Sequence, residues 1–95
     1  MSFLDDWPVL LEVSRIVKKI GGIEIWCFGS VIRGACANDI DLLAIYEERQ
    51  RVVLLRLELE EINVSMAPRF DLICMRPAEE RFYGFIALTG AVRIV

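Results

Sequence analysis

IWCFGS at residues 25–30 and DIDLLAIY at residues 39–46 are the two segments that determine how the rest of the chain is arranged. Each has the length and the apolar composition of a buried β-strand. The first ends in a Gly-Ser turn, and the second begins with two carboxylates. Side chains two positions apart in a strand point to the same face, so Asp39 and Asp41 are predicted to lie side by side.

The paired carboxylates suggest a metal site. Adjacent carboxylates repel each other and raise each other's pKa unless a cation shares them, and Mg²⁺ or Mn²⁺ prefers such oxygen ligands. Asn38-Asp39 alone is also a common turn signal, so an ordinary loop followed by a strand is the alternative. We favour metal binding because Asp41 is flanked by Ile40 and Leu42, where an unpartnered carboxylate is costly.

A phosphate group is the second ligand that this region predicts. Ser30 ends the first strand and would bring a hydroxyl group and exposed backbone N–H groups close to the carboxylates, a combination that suits phosphate. A Gly-Ser turn alone is a weak signal, and it becomes specific only together with Asp39 and Asp41.

From Phe28 to Tyr46 the chain resembles the nucleotidyltransferase superfamily that includes DNA polymerase beta, and within it the minimal nucleotidyltransferase domains of the prokaryotic antitoxin type. Their pattern is a Gly-Ser turn, often an Arg-Gly pair, then Asp-x-Asp before apolar residues. The chain has these features as Gly29-Ser30, Arg33-Gly34 and Asp39-Ile40-Asp41, with eight residues between Ser30 and Asp39, slightly fewer than is usual in the family. Asp71, in a third apolar segment, stands where the family has a third carboxylate.

The resemblance implies one domain over residues 1–95, of the α/β (α+β) class, with a small mixed sheet of three to four strands flanked by helices. It implies Mg²⁺-dependent (or Mn²⁺-dependent) transfer of a nucleoside monophosphate, typically AMP from ATP, to a hydroxyl group. The implied catalytic and metal-binding residues are Asp39, Asp41 and Asp71, and the implied nucleotide-binding residues are Gly29, Ser30 and Arg33. For Arg33, a structural salt bridge to a nearby Asp is the alternative.

The resemblance also indicates a protein partner. Stand-alone minimal domains resemble the antitoxin halves of toxin–antitoxin pairs, which act on a small helical partner, often of the HEPN class. A catalytically inactive module that neutralises its partner by contact is the alternative. Hydrophobic residues make up 56% of the chain, which fits either a partner or homo-oligomer surface or a tightly packed core.

Composition limits the remaining possibilities. The net charge of −3 argues against direct nucleic-acid binding. No apolar run approaches the ~20 residues of a membrane span, and the N-terminus lacks a signal-peptide pattern, so we expect a cytoplasmic protein. The chain has no histidine, which excludes Ser-His and Cys-His nucleophiles. Its cysteines lack metal-ligand spacing.

Periodicity and turn signals predict alternating helices and strands, and therefore an α/β sheet of mixed direction. The predicted elements are a helix from Pro8 to Gly21-Gly22, a strand over 23–28, a turn and short helix over 29–34, a loop over 35–38, a strand over 40–46, a helix over 47–63, a strand over 70–75, a helix over 78–88, and a tail over 91–95 that forms a last strand or a contact surface. Within 47–63, residues 55–59 also fit a strand, but the segment is too long for one.

Overall fold

The computed structural model describes residues 8–29, 32, 39–65 and 69–95. Helices and strands alternate along the chain as the sequence predicts. In chain order the elements are α1 (Pro8–Ile20), β1 (Ile23–Phe28), β2 (Asp39–Tyr46), α2 (Arg49–Ser65), β3 (Arg69–Met75), α3 (Pro77–Tyr83), α4 (Phe85–Thr89) and β4 (Val92–Arg93). The turn, short helix and loop predicted between β1 and β2 lie outside the described residues, except for Gly29 and Ile32.

The four strands form one sheet in the order β3-β2-β1-β4. β1 pairs antiparallel with β2 and β4, whereas β2 and β3 are parallel. The predicted mixed sheet is thus confirmed. The tail prediction is also correct as a strand, because Val92 and Arg93 pair with Cys27 and Trp26.

One face of the sheet forms the hydrophobic core with α1 and α2. Alternation along each strand sends Ile25, Ile40 and Leu42 to this face, where they are fully buried. The helices contribute stripes at helical spacing, which confirms the helix over the ambiguous segment 47–63. The buried stripe of α1 is Val9, Leu10, Val13 and Val17, and that of α2 is Val52, Leu55, Leu59 and Ile62.

The end of α1 is fixed to the start of α2. Gly21 has φ +77° and donates its N–H to the Val17 carbonyl at 2.8 Å, which ends the helix as predicted. The Arg51 guanidinium donates to the carbonyl oxygens of Ile20 at 2.6 Å and Gly21 at 3.2 Å. Arg51 therefore satisfies carbonyl groups that the end of α1 leaves open.

The single helix predicted over residues 78–88 is wrong in its continuity. Gly84 adopts φ +62° and separates α3 from α4. The Glu80 carboxylate accepts a hydrogen bond from the Ile86 backbone N–H at 2.9 Å, which satisfies one of the open donors at the start of α4. The left-handed glycine and this side-chain contact together stabilise the break.

α3 packs against β2 and β3. Because α1 and α2 cover the core face, the opposite face of the sheet is left to α3 and α4 near one end. Leu43 points to that opposite face and is nevertheless 0% exposed. No helix in the described part of the chain is long and apolar enough to cross a membrane.

Candidate active site

Three predicted carboxylates lie on the sheet face opposite the core. Alternation along β2 puts Asp39 and Asp41 on this face, since Ile40 and Leu42 point into the core. Asp71 is the register partner of Asp41 in the parallel β2–β3 pair. The structure therefore brings together the two carboxylates of one strand and the single carboxylate of the next.

Asp41 is the electrostatic centre of this group. Partial burial raises the pKa of its carboxyl group above the ordinary value of 3.8, and the neighbouring charges of Asp71 and then Asp39 raise that pKa further. Among the described residues, no ion pair engages any of the three carboxylates. The site thus concentrates negative charge, and no described cationic side chain forms an ion pair with it.

Gly29 lies close to the Asp41 carboxylate and has a backbone conformation that favours glycine. Its backbone has φ +83°, which L side chains rarely adopt. A Cβ atom at this position would collide with Oδ2 of Asp41 and would lie 3.2 Å from its Cγ. The turn after β1 is therefore in contact with the central carboxylate.

An aromatic pair borders the same region. Phe28 is the antiparallel register partner of Asp41. The Phe28 and Phe85 rings meet edge to face, with centroids 4.9 Å apart and planes at 88°, a favourable aromatic geometry. This contact holds α4 beside the carboxylates and places apolar surface next to Asp41.

Cys27 is close in sequence but takes no part in this chemistry. Its side chain is buried in the core, and burial together with the charge of Asp41 raises the pKa of the thiol to about 12. A thiol with such a pKa is protonated at neutral pH and is neither a nucleophile nor a thiolate ligand. Among the described residues on this face, the carboxylates are the candidates for acid–base chemistry.

The donor chemistry of the three carboxylates fits a hard divalent cation, because all of the available ligands are oxygen atoms on one face. As the side chains stand, however, no three acidic or cysteine side chains within the described ranges converge into a ready metal cage. The carboxylates therefore fit such a cation in ligand type, while a complete cage requires further ligands or side-chain rotation.

Arg69 is a neighbour of the site that the sequence interpretation missed. It is the parallel register partner of Asp39 and lies on the same face as Asp71, two positions further along β3. The alternation of Arg69, Phe70 and Asp71 was the available signal. Of the predicted nucleotide-binding residues, Gly29 lies at the site, whereas Ser30 and Arg33 lie outside the described residues.

A comparison with protein-family models identifies the family to which the chain belongs. The model of the nucleotidyltransferase domain matches residues 10–91, a range that includes all three carboxylates and Gly29. The chain belongs to the nucleotidyltransferase domain family. The mixed sheet flanked by helices agrees with this fold, and membership supports nucleotidyl transfer as the general activity. No curated protein and no solved structure matches the chain significantly.

The charge repulsion at Asp41 leads to a prediction about the free energy of unfolding. Because its pKa is raised in the folded state, the ionised carboxylate costs stability at neutral pH, and this cost disappears as the group is protonated. We expect Asp41→Asn to raise the free energy of unfolding by about 0.5–1 kcal/mol at pH 7. The gain should shrink as pH falls through the raised pKa and vanish below 3.8, the ordinary value.

Urea denaturation at a series of pH values measures this effect. Glu58→Gln makes the same carboxyl-to-amide change at an exposed position of α2 and should leave stability nearly unchanged. A gain for Asp41→Asn that is constant down to pH 3 would contradict a repulsive carboxylate cluster.

Proposed function

We propose that this nucleotidyltransferase domain transfers a nucleoside monophosphate, AMP from ATP, to a hydroxyl group on a protein partner. The observation that supports it most is the position of Asp41. It lies between the charges of Asp39 and Asp71, on the sheet face that α1 and α2 leave open, in a chain of this family. Such perturbed carboxylates mark candidate catalytic sites.

The proposed roles follow from this placement. Asp39 and Asp41 would hold a divalent cation together with Asp71, and the bound Mg²⁺ or Mn²⁺ supplies neutralisation of phosphate charge. Gly29 allows the backbone to approach the triphosphate, with Ser30 and Arg33 as further phosphate-binding residues in the proposal. Arg69 adds a cationic side chain on the same face.

The reaction forms a bond between the acceptor oxygen and the α-phosphorus of ATP and breaks the bond from that phosphorus to the departing pyrophosphate. In the proposal, Asp71 accepts the proton of the attacking hydroxyl group. Asp71 is exposed on its strand, so an acceptor from another molecule can reach it. Positioning and charge neutralisation, rather than a covalent intermediate, would provide the catalysis.

The surface of α3 and α4 supports a protein acceptor. Phe82 is 83% exposed, Tyr83 58% and Leu88 81%, and the rings of Phe82 and Tyr83 contact each other. Exposed large apolar side chains are typical of interaction surfaces. The Phe28–Phe85 contact places α4 next to the carboxylates. We propose a small helical partner of the HEPN type here, with this chain as the antitoxin of a toxin–antitoxin pair.

Calorimetric titration of Mn²⁺ in the presence of ATP tests the site itself. We expect the wild-type protein to bind Mn²⁺. The Asp39→Ala/Asp41→Ala variant should bind it at least about tenfold more weakly, because it lacks two carboxylates and each contact between a carboxylate and a cation is stronger than a hydrogen bond between neutral groups. Ser30→Ala should weaken nucleotide binding by about 1.5–3 kcal/mol, the value of a hydrogen bond to a charged group.

The matched control is Glu47→Ala/Glu48→Ala, which removes two adjacent exposed carboxylates outside the site. Its affinity should equal that of the wild-type protein. Equal loss in both double variants, or no binding by the wild-type protein at millimolar ATP, would favour a module that acts on its partner by contact alone.

A further inference from the structure

Helix α2 has apolar side chains on both of its faces. Its inner stripe is buried against the sheet, yet Val53, Leu54 and Leu57 point away from it and are 45%, 53% and 55% exposed. A helix that packs on one side only normally has a polar outer face. These three residues, which we term the α2 outer patch, thus form an apolar surface that nothing in the described part of the chain covers.

The charged residues beside the α2 outer patch are complementary to those of a second α2 helix packed antiparallel to the first. Arg49 and Glu60 are eleven positions apart, close to three helical turns, so they lie on the same flank of α2. Their midpoint lies level with Leu54 along the helix axis, and the flank that they occupy adjoins Val53 of the patch. Within the described residues, neither side chain has an ion-pair partner.

We propose that a second copy of this chain covers the α2 outer patch, with the two α2 helices packed antiparallel across a two-fold axis that lies level with Leu54 and passes by Val53 and Leu57. This arrangement places Arg49 of each copy opposite Glu60 of the other, so that one contact is made twice, as an isologous dimer requires. Apolar residues meet in the centre and opposite charges meet at the flank.

A groove beside the patch provides room for the second copy. It has a volume of about 500 Å³ and lies between α1 and α2. Its lining combines the apolar residues Ile16, Ile20 and Leu54 with four charged residues, Glu12, Arg15, Lys19 and Glu58. An apolar side chain such as Leu57 of the second copy would find apolar contacts there. Interdigitation of this kind is how two helical layers pack closely.

The dimer is compatible with an active site on each copy. The helices α1 and α2 cover the core face of the sheet, whereas Asp39, Asp41 and Asp71 lie on the other face. Asp39 and Asp41 of each copy would therefore face away from the two-fold axis, while Asp71 and Glu60 line one groove at the β3 edge of the sheet. The proposal does not depend on the proposed activity, and it can fail or hold independently of it.

Sedimentation equilibrium of the purified protein tests the apolar part of the proposal. We expect a dimer for the wild-type protein, and a dissociation constant raised at least about tenfold by Leu54→Glu or Leu57→Glu. Both positions are exposed, so the thermal midpoint of a dilute monomer should change little. Leu88→Glu is the matched control, because Leu88 is 81% exposed and belongs to α4, across the sheet.

A charge exchange tests the orientation. Arg49→Glu and Glu60→Arg each place like charges opposite one another, so each alone should weaken the dimer about threefold to tenfold. The double variant, or an equal mixture of the two single variants, should recover wild-type association, because both flank contacts then join opposite charges again. Arg81→Glu makes the same charge reversal on α3 and should have no effect.

Three results would overturn the proposal. The first is a wild-type protein that stays monomeric throughout the micromolar range. The second is a dimer that tolerates Leu54→Glu and Leu57→Glu as well as it tolerates Leu88→Glu. The third is loss of association in the Arg49→Glu and Glu60→Arg variants without recovery in their combination, which would exclude the antiparallel orientation.

Discussion

Gly29→Ala is expected to lower the free energy of unfolding by about 1.5–3.5 kcal/mol and to remove nucleotide binding. Two physical costs add. The left-handed backbone at φ +83° costs an L residue roughly 1–2 kcal/mol. The new Cβ also collides with the Asp41 carboxylate, which is the far end of a flexible side chain, and turning that side chain off its preferred rotamer costs ~0.5–1.5 kcal/mol. The carboxylate must rotate away, which disturbs the proposed metal and phosphate site.

Gly84→Ala is the matched control for this prediction. Gly84 has a similar backbone, with φ +62°, but an added Cβ would have no atom within 4 Å. It should therefore lose only the backbone cost, roughly 1–2 kcal/mol. Urea denaturation of both variants gives the difference, which measures the collision alone.

A double-mutant cycle identifies the colliding group. In an Asp41→Ala background the carboxylate is gone, and only the Asp41 Cβ position, an ordinary contact at 3.5 Å, remains near the new methyl group. Gly29→Ala should then cost about as much as Gly84→Ala. If Gly29→Ala and Gly84→Ala lower the free energy of unfolding equally in the wild-type background, the close approach of Gly29 to Asp41 contributes nothing to the cost.

The sequence predicted the elements of the core well because burial imposes regular patterns. Strand alternation in β1 and β2, and the helical spacing of Val52, Leu55 and Leu59, are local signals that hydrophobic burial makes visible. The carboxylates were predicted for the same reason, since Asp41 interrupts an apolar segment. The shared face of Asp39 and Asp41 follows from the period of a strand and needs no tertiary information.

Features that depend on long-range contacts could not be predicted in this way. The break at Gly84 depends on the Glu80 side chain reaching the Ile86 N–H, a contact that no periodicity reveals. The parallel register that brings Asp71 beside Asp41 is set by packing between strands. For Gly29, the sequence suggested backbone approach to phosphate, whereas the structure adds contact with the Asp41 carboxylate.

The outer face of α2 shows a different limit of prediction from the sequence, which could not tell which apolar residues of the helix are exposed. The inner stripe was sufficient to predict a helix, so Val53, Leu54 and Leu57 added nothing to that assignment. Only the structure separates the residues that face the sheet from those that are exposed. Composition had indicated excess apolar surface, but its location required the fold.

Asp71→Asn is expected to abolish transfer of AMP to the partner protein, with a rate at least about 10²-fold lower, the usual effect of removing a group that accepts a proton in the reaction. The change keeps the shape of the side chain and removes its charge. Because Asp71 is exposed on a sheet face and the proposed partner surface is on α3 and α4, the complex should remain intact. ATP labelled in the α-phosphate, incubated with the domain and the proposed HEPN-type partner protein, provides the measurement.

The controls separate the chemistry from partner binding. Glu58→Gln, the same chemical change on α2, should transfer label at the wild-type rate. Phe82→Ala removes an aromatic ring that is 83% exposed, so it should weaken the complex while ATP binding by the free domain is unchanged. Label should appear from the α-phosphate and not from the γ-phosphate, since pyrophosphate departs. Full transfer by Asp71→Asn would contradict its proposed role, whereas neutralisation of the partner by the wild-type protein without any label would show that the fold acts through contact.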